Sequence, residues 1–370
     1  MAQHLRYEDT LFHKEQQVRD CLARIGGIED PPIAPIVGME DPWRYRNKGA
    51  FPVGGDIGSV RIGCFAARSH DIIDAPGGCL LQSEASDALV GAVRRWMLEN
   101  RVAPYREDTR RGLVRHVMTR EAKDGSTMLI LSVNGRTMPA GGELIRLARD
   151  AAPGLVSIML SVNTRDTNVI LGDSARPLWG ETSLTDELAG FRLRVSPHTF
   201  FQVNRAQAEK LYAIALSMAG LTGTETVWDV YCGCGSITLP LAARSARAVG
   251  VEVVPDAVED ARENARLNGV ENVRFIAGAA EAVLPEMTRR EGRPDVIVLD
   301  PPRKGCEAAA LMAAAEAGPE RVVYVSCNPA TLARDAAALS RMGYRLDRVQ
   351  PVDMFPWTGH VECAAVFLKT

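Results

Sequence analysis

The sequence predicts an α/β fold in which a doubly wound, mostly parallel sheet forms the C-terminal half and an α+β module precedes it. Two observations predict this. From about residue 195 onward, short apolar runs alternate with helical stretches, the order that builds a parallel sheet. Residues 56–200 instead carry several strand-like runs and fewer helices, which is typical of α+β modules. We expect an N-terminal helix segment (1–35) packed on the C-terminal domain, the α+β module (36–195) and the parallel-sheet domain (196–370).

The composition is that of a soluble globular protein. The chain has 370 residues, of which 46% are hydrophobic and 24% charged, enough for two or three domains. The net charge of −3 gives no overall positive field, so any surface for nucleic acid must be a local patch. No apolar run approaches the roughly 18 residues of a membrane span. We expect a cytoplasmic, monomeric protein that does not bind membranes.

Cysteine spacing gives no sign of a metal site or a disulfide framework. The only close pair is Cys232 and Cys234, and the chain has no CxxC pattern. Because no secretory leader is visible, we expect free thiols in a reducing compartment. The eight cysteines lie at positions 21, 64, 79, 232, 234, 306, 327 and 363.

The N-terminal part begins with an amphipathic pattern. In residues 4–25, Leu11, Val18 and Leu22 fall on one side of a helix, and a Gly-Gly pair follows it. Residues 31–55 are rich in Pro and Gly. There, the basic residues Arg44, Arg46 and Lys48 alternate with the aromatic residues Trp43, Tyr45 and Phe51. This alternation fits two structures equally well: a surface that pairs with phosphates and stacks bases, or a hairpin with a solvated basic face.

The α+β module is predicted from its apolar runs. Strands are expected at 61–66, 113–119, 128–133 and 156–162, and helices at 86–100 and 142–151. The stretch 101–120 carries six arginines, which either face phosphates or form an ordinary solvated surface. In the C-terminal domain, strands are expected at 226–230, 248–253, 273–277, 295–299 and 322–325, and helices at 205–219, 236–243, 255–268 and 307–317.

A glycine turn follows the first strand of the parallel sheet. The strand runs into Tyr231 and Gly233, where backbone can approach a ligand closely. The next strand ends at Glu252, at a distance where an acid accepts ribose hydroxyls. A dinucleotide would also suit such a turn, but the full GxGxxG pattern is absent. The acid before the glycines, Asp229, leads us to favour S-adenosylmethionine.

Two further strand ends carry reactive side chains. Asp300 follows the fourth strand and is succeeded by a rigid Pro-Pro loop. Cys327 follows the fifth strand, and the Asn-Pro that comes next is turn chemistry. A lone cysteine is most often a small buried thiol. In an open α/β sheet, however, ligands bind where the strands end, which makes both residues candidates for a site.

Three motifs together resemble one family, the RNA uracil-5 methyltransferases, class I enzymes that use S-adenosylmethionine to make 5-methyluridine in 23S ribosomal RNA or in the tRNA T-loop. They are Phe200–Asn204, then Asp300–Gly305 with Ser326–Asp335, and Asp353–Glu362. The resemblance covers nearly the whole chain. The opening residues 3–8 and 24–27 are most similar to the 23S branch.

The resemblance implies a Rossmann-like class I methyltransferase domain preceded by an RNA-binding module. It also implies a covalent mechanism, with Cys327 as the nucleophile that adds to C6 of uracil and Glu362 as the general base that removes the C5 proton. The target base must leave its stack to reach the site. Carried over from the family and the glycine turn, the residues expected to bind the cofactor are Gln202, Tyr231, Gly233, Ser236, Glu252 and Asp300.

The chain departs from the family pattern in several places. Ser236 stands where relatives often have Asn, and Ala279 where an acid or amide is common, so an adenine-side contact is in doubt. Many relatives also begin with a small β-barrel of the TRAM type and three clustered cysteines of an iron–sulfur site. Cys79 resembles the fourth ligand alone. We therefore interpret the chain as shortened, or as a natural cluster-free variant, and expect no iron–sulfur centre, since one cysteine cannot supply four thiolates.

Other functions remain open from the sequence. Within the family, the chain could modify the tRNA T-loop instead of 23S ribosomal RNA. An amino-group methyltransferase would carry an aromatic residue where Arg303 stands and would not need Cys327. A non-catalytic RNA-binding or folding factor could keep the fold, although the presence of both Cys327 and Glu362 argues for catalysis.

Overall fold

The computed structural model describes residues 3–370; Met1 and Ala2, the first residues of the predicted N-terminal segment, lie outside that range. The chain divides into two compact units. The first comprises the residues up to Pro42, Leu188–Leu193 and Ala206–Thr370, and the second comprises Trp43–Glu187 and Arg194–Arg205. We call the first the methyltransferase unit, after the domain that the family resemblance predicts there, and the second the central unit.

The helices found within residues 3–370 are α1 (Tyr7–Arg24), α2 (Glu84–Glu99), α3 (Gly141–Ala151), α4 (Arg205–Ala219), α5 (Thr238–Ala242), α6 (Pro255–Leu267), α7 (Ala280–Glu291), α8 (Ala308–Glu316) and α9 (Pro329–Arg341). The strands in the same range are β1 (Lys48–Asp56), β2 (Ser59–Phe65), β3 (Ile72–Asp74), β4 (Val114–Glu121), β5 (Thr127–Val133), β6 (Leu155–Val162), β7 (Ala175–Gly180), β8 (Leu184–Leu188), β9 (Phe191–Val195), β10 (Thr226–Val230), β11 (Arg247–Glu252), β12 (Val273–Ala277), β13 (Val296–Leu299), β14 (Arg321–Ser326), β15 (Tyr344–Val352) and β16 (Glu362–Lys369).

The methyltransferase unit is built on a seven-stranded sheet in the order β12-β11-β10-β13-β14-β16-β15. The strands from β12 to β14 run parallel, whereas β16 pairs antiparallel with β14 and β15. The three central strands β10, β13 and β14 are mostly apolar and buried on both faces, as parallel strands covered by helices require. The predicted α/β fold class is confirmed.

The N-terminal helix α1 belongs to the core of the methyltransferase unit. Val18 and Leu22 are fully buried and join the cluster that contains Ala333 and Ala336 of α9. Burying each of these two aliphatic side chains contributes roughly 1.5–3 kcal/mol. After the helix, residues 33–37 run alongside β15: the Ala34 amide donates to the Val349 carbonyl at 2.8 Å. This segment satisfies an otherwise open sheet edge.

The central unit contains the other seven-stranded sheet, in the order β3-β2-β1-β4-β5-β6-β7. All of its pairings are antiparallel except the one between β5 and β6, which α3 connects. Helix α2 begins at an N-cap, where the Ser83 hydroxyl accepts from the Ser86 amide at 3.2 Å. Trp96 of α2 is completely buried with Leu129 and Ile158 of the sheet, so this unit has its own core.

Several elements were not foreseen from the sequence. They are β1, β3, β7, β8, β9, α7, α9, β15 and β16. The predicted boundaries of the other elements shift by a few residues; for example, α1 starts at Tyr7 instead of residue 4. Among residues 3–370, none of the helices combines the length and apolar composition needed to span a bilayer.

Candidate active site

Four strand ends of the methyltransferase unit place candidate residues along one edge of its sheet. Tyr231 follows β10, Glu252 ends β11, Asp300 follows β13, and Cys327 follows β14. Because these four strands are neighbours and parallel, their carboxyl ends meet at the same edge. Glu362 reaches the same edge from β16: Ser326 is paired with Cys363, so Cys327 and Glu362 are the next residues at that end of the ladder.

The glycine turn after β10 is shaped by left-handed backbone. Tyr231 has φ 69° and Gly233 has φ 53°, a conformation that glycine adopts without strain and other residues adopt rarely. A Cβ added to Gly233 would meet nothing within 4 Å, so the turn is open on that side. The Gly233 amide donates to Glu252 Oε2 at 3.1 Å, and the Val254 amide donates to Oε1 at 2.9 Å. Each carboxylate oxygen keeps a second lone pair, so Glu252 is oriented and still able to accept ribose hydroxyls.

Asp229, inside β10, carries a polar atom without a partner. The Thr238 hydroxyl donates to its Oδ2 at 2.5 Å, while its buried Oδ1 has no hydrogen-bond partner among the described residues. Burial raises the pKa of Asp229 to about 7, and the charges of Asp300 and Glu252 contribute to the increase. A buried carboxylate oxygen left unpaired is costly unless a ligand completes it. Asp229 was noticed in the sequence but was not among the predicted cofactor-binding residues.

The edge of the sheet is acidic. Burial raises the pKa of Asp300 to about 8, with a further contribution from the Glu362 charge, and burial raises the pKa of Glu362 to about 7. A positively charged ligand would stabilise the ionised forms of these carboxylates. No group of three or more His, Cys, Asp or Glu within residues 3–370 is arranged to hold a metal ion. Buried carboxylates such as Asp300 and Glu362 fit an organic cation such as S-adenosylmethionine, which carries a sulfonium and an ammonium group.

Ser236 and Tyr231 are held by neighbouring side chains. The Ser236 hydroxyl lies 3.0 Å from the Tyr212 hydroxyl of α4. Burial raises the pKa of Tyr231, whose hydroxyl also interacts with the Cys306 thiol. Behind Cys306, the Tyr324 hydroxyl donates to Asp335 Oδ2 at 2.6 Å. A network of interacting side chains thus extends from the glycine turn after β10 to β14, the strand that precedes Cys327.

Cys327 is partly buried and its charge environment is mixed. Burial raises the pKa of its thiol, the charges of Glu362 and Asp300 raise it further, and the Arg303 guanidinium lowers it. Arg303 Nη2 lies 3.3 Å from His360 Nε2, and the Arg303 carbonyl accepts from Asn328 Nδ2 at 3.2 Å. Sequence reasoning used Arg303 only to exclude an amino-group enzyme. Its position directly after Pro301-Pro302, in the loop that follows β13 at this edge of the sheet, was the available signal for a role in the site.

The remaining predicted residues lie elsewhere or lack an informative contact. Gln202 belongs to the central unit, where it is mostly buried and its carbonyl accepts from Asn47 Nδ2 at 2.9 Å. Its predicted contact with the cofactor stays a prediction. Ala279 is the residue before α7 and makes no side-chain cap. Cys79 is partly buried in the central unit, and its amide donates to Asp87 Oδ1 at 2.9 Å.

The basic and aromatic stretch after residue 42 also lies in the central unit. Lys48 begins β1, and its pKa falls to about 8 through burial and the charges of Arg120 and Arg46. Tyr45 and Phe51 are buried, so these two aromatic rings serve the core and are not free to stack on bases. The hairpin structure, formed by β1 and β2, is therefore favoured for this stretch. Lys48, Arg46 and Arg120 form a cationic group beside it.

Comparison with known proteins identifies similar sequences and structures. A family model described as tRNA (uracil-5-)-methyltransferase matches residues 181–370. An uncharacterized RNA methyltransferase of Clostridium acetobutylicum is 44% identical over 363 residues, 97% of this chain and 79% of that protein. Another, from Halalkalibacterium halodurans, is 46% identical over 365 residues, 98% of this chain and 80% of that protein. The crystal structure of Pyrococcus abyssi tRNA (uracil-54, C5)-methyltransferase in complex with S-adenosyl-L-homocysteine has a TM-score of 0.81 at 27% identity, covering 99% of this chain and 85% of that chain.

Proposed function

Because the chain belongs to the tRNA (uracil-5-)-methyltransferase family and is an S-adenosylmethionine-dependent RNA methyltransferase, we propose that it methylates C5 of a uridine in 23S ribosomal RNA through a covalent cysteine adduct. The observation that carries the proposal is the pairing of Ser326 with Cys363. This register sets Cys327 and Glu362 at the same end of the β14–β16 ladder, so a nucleophile and a base of the required types are adjacent.

The proposed chemistry follows from the reactivity of uracil, whose C5 is a poor nucleophile. The Cys327 thiolate forms a bond to C6, and the electrons of the C5–C6 double bond move toward the C4 carbonyl to give an enolate. Bound S-adenosylmethionine would supply the methyl group from its sulfonium to C5 and would leave as the neutral thioether S-adenosylhomocysteine. Glu362 then takes the C5 proton, the double bond re-forms, and the C6–S bond breaks with its electron pair returning to sulfur.

The charges around Cys327 act in opposite directions: those of Glu362 and Asp300 raise the pKa of its thiol, and that of Arg303 lowers it. The thiol must lose its proton to attack, and Arg303 is the cation that lowers its pKa. The Glu362 side chain is only 4% exposed, and its raised pKa of about 7 makes it a stronger base than an ordinary carboxylate. Tyr231, Gly233, Ser236, Glu252 and Asp300, together with Gln202, are the proposed cofactor-binding residues, and we add Asp229.

Intact-mass analysis with 5-fluorouridine-substituted RNA tests the proposal. The protein is mixed with S-adenosylmethionine and substituted 23S ribosomal RNA and trimmed with nuclease. Because fluorine cannot leave as a cation, the adduct should be trapped on Cys327 with the methyl group attached. Cys327→Ala should give no adduct and bind S-adenosylmethionine with unchanged affinity. A Cys327→Ala protein that still methylates RNA would rule out the covalent mechanism.

A tRNA substrate is the second candidate. The Pyrococcus abyssi structure, which supports it, is of an enzyme acting on uridine 54 of tRNA, whereas residues 3–8 and 24–27 of this chain favour the 23S branch. The same trapping experiment, run in parallel with 5-fluorouridine-substituted tRNA, separates the two. An adduct with tRNA alone would replace the ribosomal substrate. No adduct with either RNA would favour a non-catalytic RNA-binding protein.

A further inference from the structure

The N-terminal helix holds the loop that leads to the proposed base. Lys14 of α1 is buried, and its ammonium donates to Asp353 Oδ1 at 2.5 Å and to the Phe355 carbonyl at 2.9 Å. Tyr7 of the same helix donates to Asp353 Oδ2 at 2.7 Å. Both oxygens of the Asp353 carboxylate are therefore occupied by α1. We call residues 353–361 the base loop, because they connect β15 to Glu362, the first residue of β16.

The contacts of Tyr7 and Lys14 with Asp353, which we call the anchor, extend through Tyr7 to a third segment, residues 37–39. The Tyr7 hydroxyl accepts from the Met39 amide at 2.9 Å, and the Asp353 amide donates to the Val37 carbonyl at 2.9 Å. Three stretches that are far apart in sequence thus meet at one fully buried carboxylate. A displacement of α1 would therefore also displace Asp353, the first residue of the base loop.

The base loop holds a residue in an unfavourable backbone conformation. Trp357 has φ 65°, in the left-handed region that a bulky residue seldom adopts. Such a conformation persists only where surrounding contacts determine it. Here the Trp357 indole donates to the Pro42 carbonyl at 3.0 Å, and its ring lies 5.4 Å from the Tyr7 ring, measured between centroids. Tyr7 therefore supports the loop at two places, through Asp353 and through Trp357.

Hydrogen bonds continue from the anchor toward Glu362. The Phe355 carbonyl that accepts from Lys14 also accepts from the Thr358 hydroxyl at 2.7 Å. The same hydroxyl accepts from the His360 amide at 3.2 Å, two residues before Glu362. The positive charge of Lys14 reaches His360, whose pKa is lowered by burial first, then by Arg303 and Lys14.

We propose that Tyr7 and Lys14 are positioning residues for Glu362, holding the base loop so that the carboxylate can take the proton from C5 of the thiol-bound uracil. The proposal rests on the function proposed above. A buried ion pair is weak evidence for stability, because desolvation cancels much of the attraction, and fixing a unique geometry is a better-supported use. The geometry fixed here is that of the strand end next to Cys327.

The distinguishing consequence is which step slows. Methyl transfer requires Cys327, whereas release of the product requires proton removal by Glu362. A loosened base loop should leave adduct formation intact and delay release. Misplacement of a catalytic group by about 1 Å can cost up to roughly a hundredfold in rate. We expect Tyr7→Phe, which removes the hydrogen bonds of the hydroxyl to Asp353 and to the Met39 amide and keeps the ring beside Trp357, to reduce product release tenfold or more.

The experiment uses ordinary uridine RNA with full-length protein and measures two quantities in each variant: methylated product released per minute, and methylated RNA bound covalently to protein after denaturation. Tyr7→Phe is compared with the double variant Lys14→Met, Asp353→Asn, which leaves no buried charge unpaired. Arg24→Ala is the matched control, because Arg24 lies on the same helix and its side chain is 80% exposed. Both test variants should release less product and accumulate covalent complex, and the control should behave as wild type.

Hydrogen exchange of residues 353–362 provides a readout that does not depend on activity. Both test variants should exchange faster than wild type in this peptide, and Arg24→Ala should not. Equal losses of product and covalent complex, or unchanged exchange, would overturn the positioning role. If wild-type protein forms no adduct with 5-fluorouridine-substituted RNA, the proposed function falls by itself, and unchanged exchange in Tyr7→Phe would then also exclude the anchor.

Discussion

At the scale of single residues, Glu362 has the environment expected of a base that accepts one proton in each turnover and must lose it before the next. It is nearly excluded from water, its pKa is raised to about 7, and Arg303 partly offsets the effect of burial. A carboxyl with a pKa near the working pH is an effective proton acceptor and returns the proton readily. The role of Glu362 as the base, which the family resemblance implies, stays a prediction.

Replacing Glu362 by Gln should separate methyl transfer from release. The amide keeps the size of the side chain but cannot accept the C5 proton. We expect covalent, methylated RNA–protein complex to accumulate on denaturing gels, with released 5-methyluridine reduced at least a hundredfold. Release of product at the wild-type rate would remove Glu362 as the base. Glu307→Gln, an exposed acid at the start of α8, is a suitable control.

Arg303 should set the pH dependence of adduct formation. The thiol pKa of Cys327 is raised by burial, so in the range below that pKa the thiolate fraction grows about tenfold per pH unit. The rate of trapping with 5-fluorouridine-substituted RNA should therefore rise from pH 6.5 to pH 8.5. Arg303→Met removes the cation that lowers the thiol pKa and should shift the profile to higher pH.

Arg303→Lys keeps the charge and serves as the comparison for this profile. It should lie closer to wild type than Arg303→Met at every pH. Identical profiles for all three proteins would mean that Arg303 does not act on the thiol. The sequence places Arg303 near this edge of the sheet, but it does not show that its charge acts on the Cys327 thiol, because that depends on how the loop after β13 folds toward β14.

At the scale of elements, the sequence predicted the alternating strands of the methyltransferase unit well, because buried parallel strands appear as short apolar runs. It did not reveal α9. Asn328-Pro329 was interpreted as a turn that ends β14, yet Asn328 also caps the helix: its Oδ1 accepts from the Ala330 amide at 3.1 Å. Asn and Pro serve both purposes, since each is common in turns and at the first positions of a helix. The antiparallel strands β15 and β16 were not predicted either, because this region was interpreted only as a family motif.

The Asn328 cap should matter for both stability and activity. Asn328→Ala removes the cap beside Cys327 and should lower the free energy of unfolding by about 0.5–2 kcal/mol. It also removes the hydrogen bond to the Arg303 carbonyl, so adduct formation should slow. Ser83→Ala removes a comparable cap from α2 in the central unit and is the matched control. If the two variants lost equal stability and Asn328→Ala kept full activity, the cap would be purely structural.

At the scale of the whole molecule, the family, the fold class and the use of S-adenosylmethionine that the sequence predicted are confirmed by the comparisons. The motifs that begin at Asp300, Ser326 and Asp353 allowed this because they lie at strand ends, where sequence position and spatial position coincide. The anchor around Asp353 could not be foreseen in the same way. Lys14 and Asp353 are 339 positions apart, and neither residue type is ordinarily buried. Such pairs are determined by tertiary packing and leave no local pattern in the sequence.

The acidic edge of the sheet predicts how the stability of the cofactor-free protein depends on pH. The folded pKa values of Asp229, Asp300 and Glu362 are about 7, 8 and 7, all above ordinary values. The stability that these groups contribute is therefore fully present below about pH 4, and it is lost as the pH rises through their pKa values in the folded protein. His116 acts in the opposite direction, since burial lowers its pKa to about 4, but its effect ends near pH 6.5. Between pH 6.5 and 8 the carboxylates dominate, and the cofactor-free protein should become less stable.

S-adenosylmethionine should reverse that loss, because its positive charge stabilises the ionised carboxylates. We expect the rise in thermal unfolding midpoint on adding saturating cofactor to be larger at pH 8 than at pH 6.5. The midpoint can be followed by differential scanning fluorimetry at constant ionic strength. In Asp300→Asn, the cofactor-free protein should lose less stability over the same range, since one ionising group is gone. An equal rise at both pH values would show that the acidic edge does not recognise the charge of the cofactor. The cofactor would then not be the partner that Asp229 Oδ1 lacks.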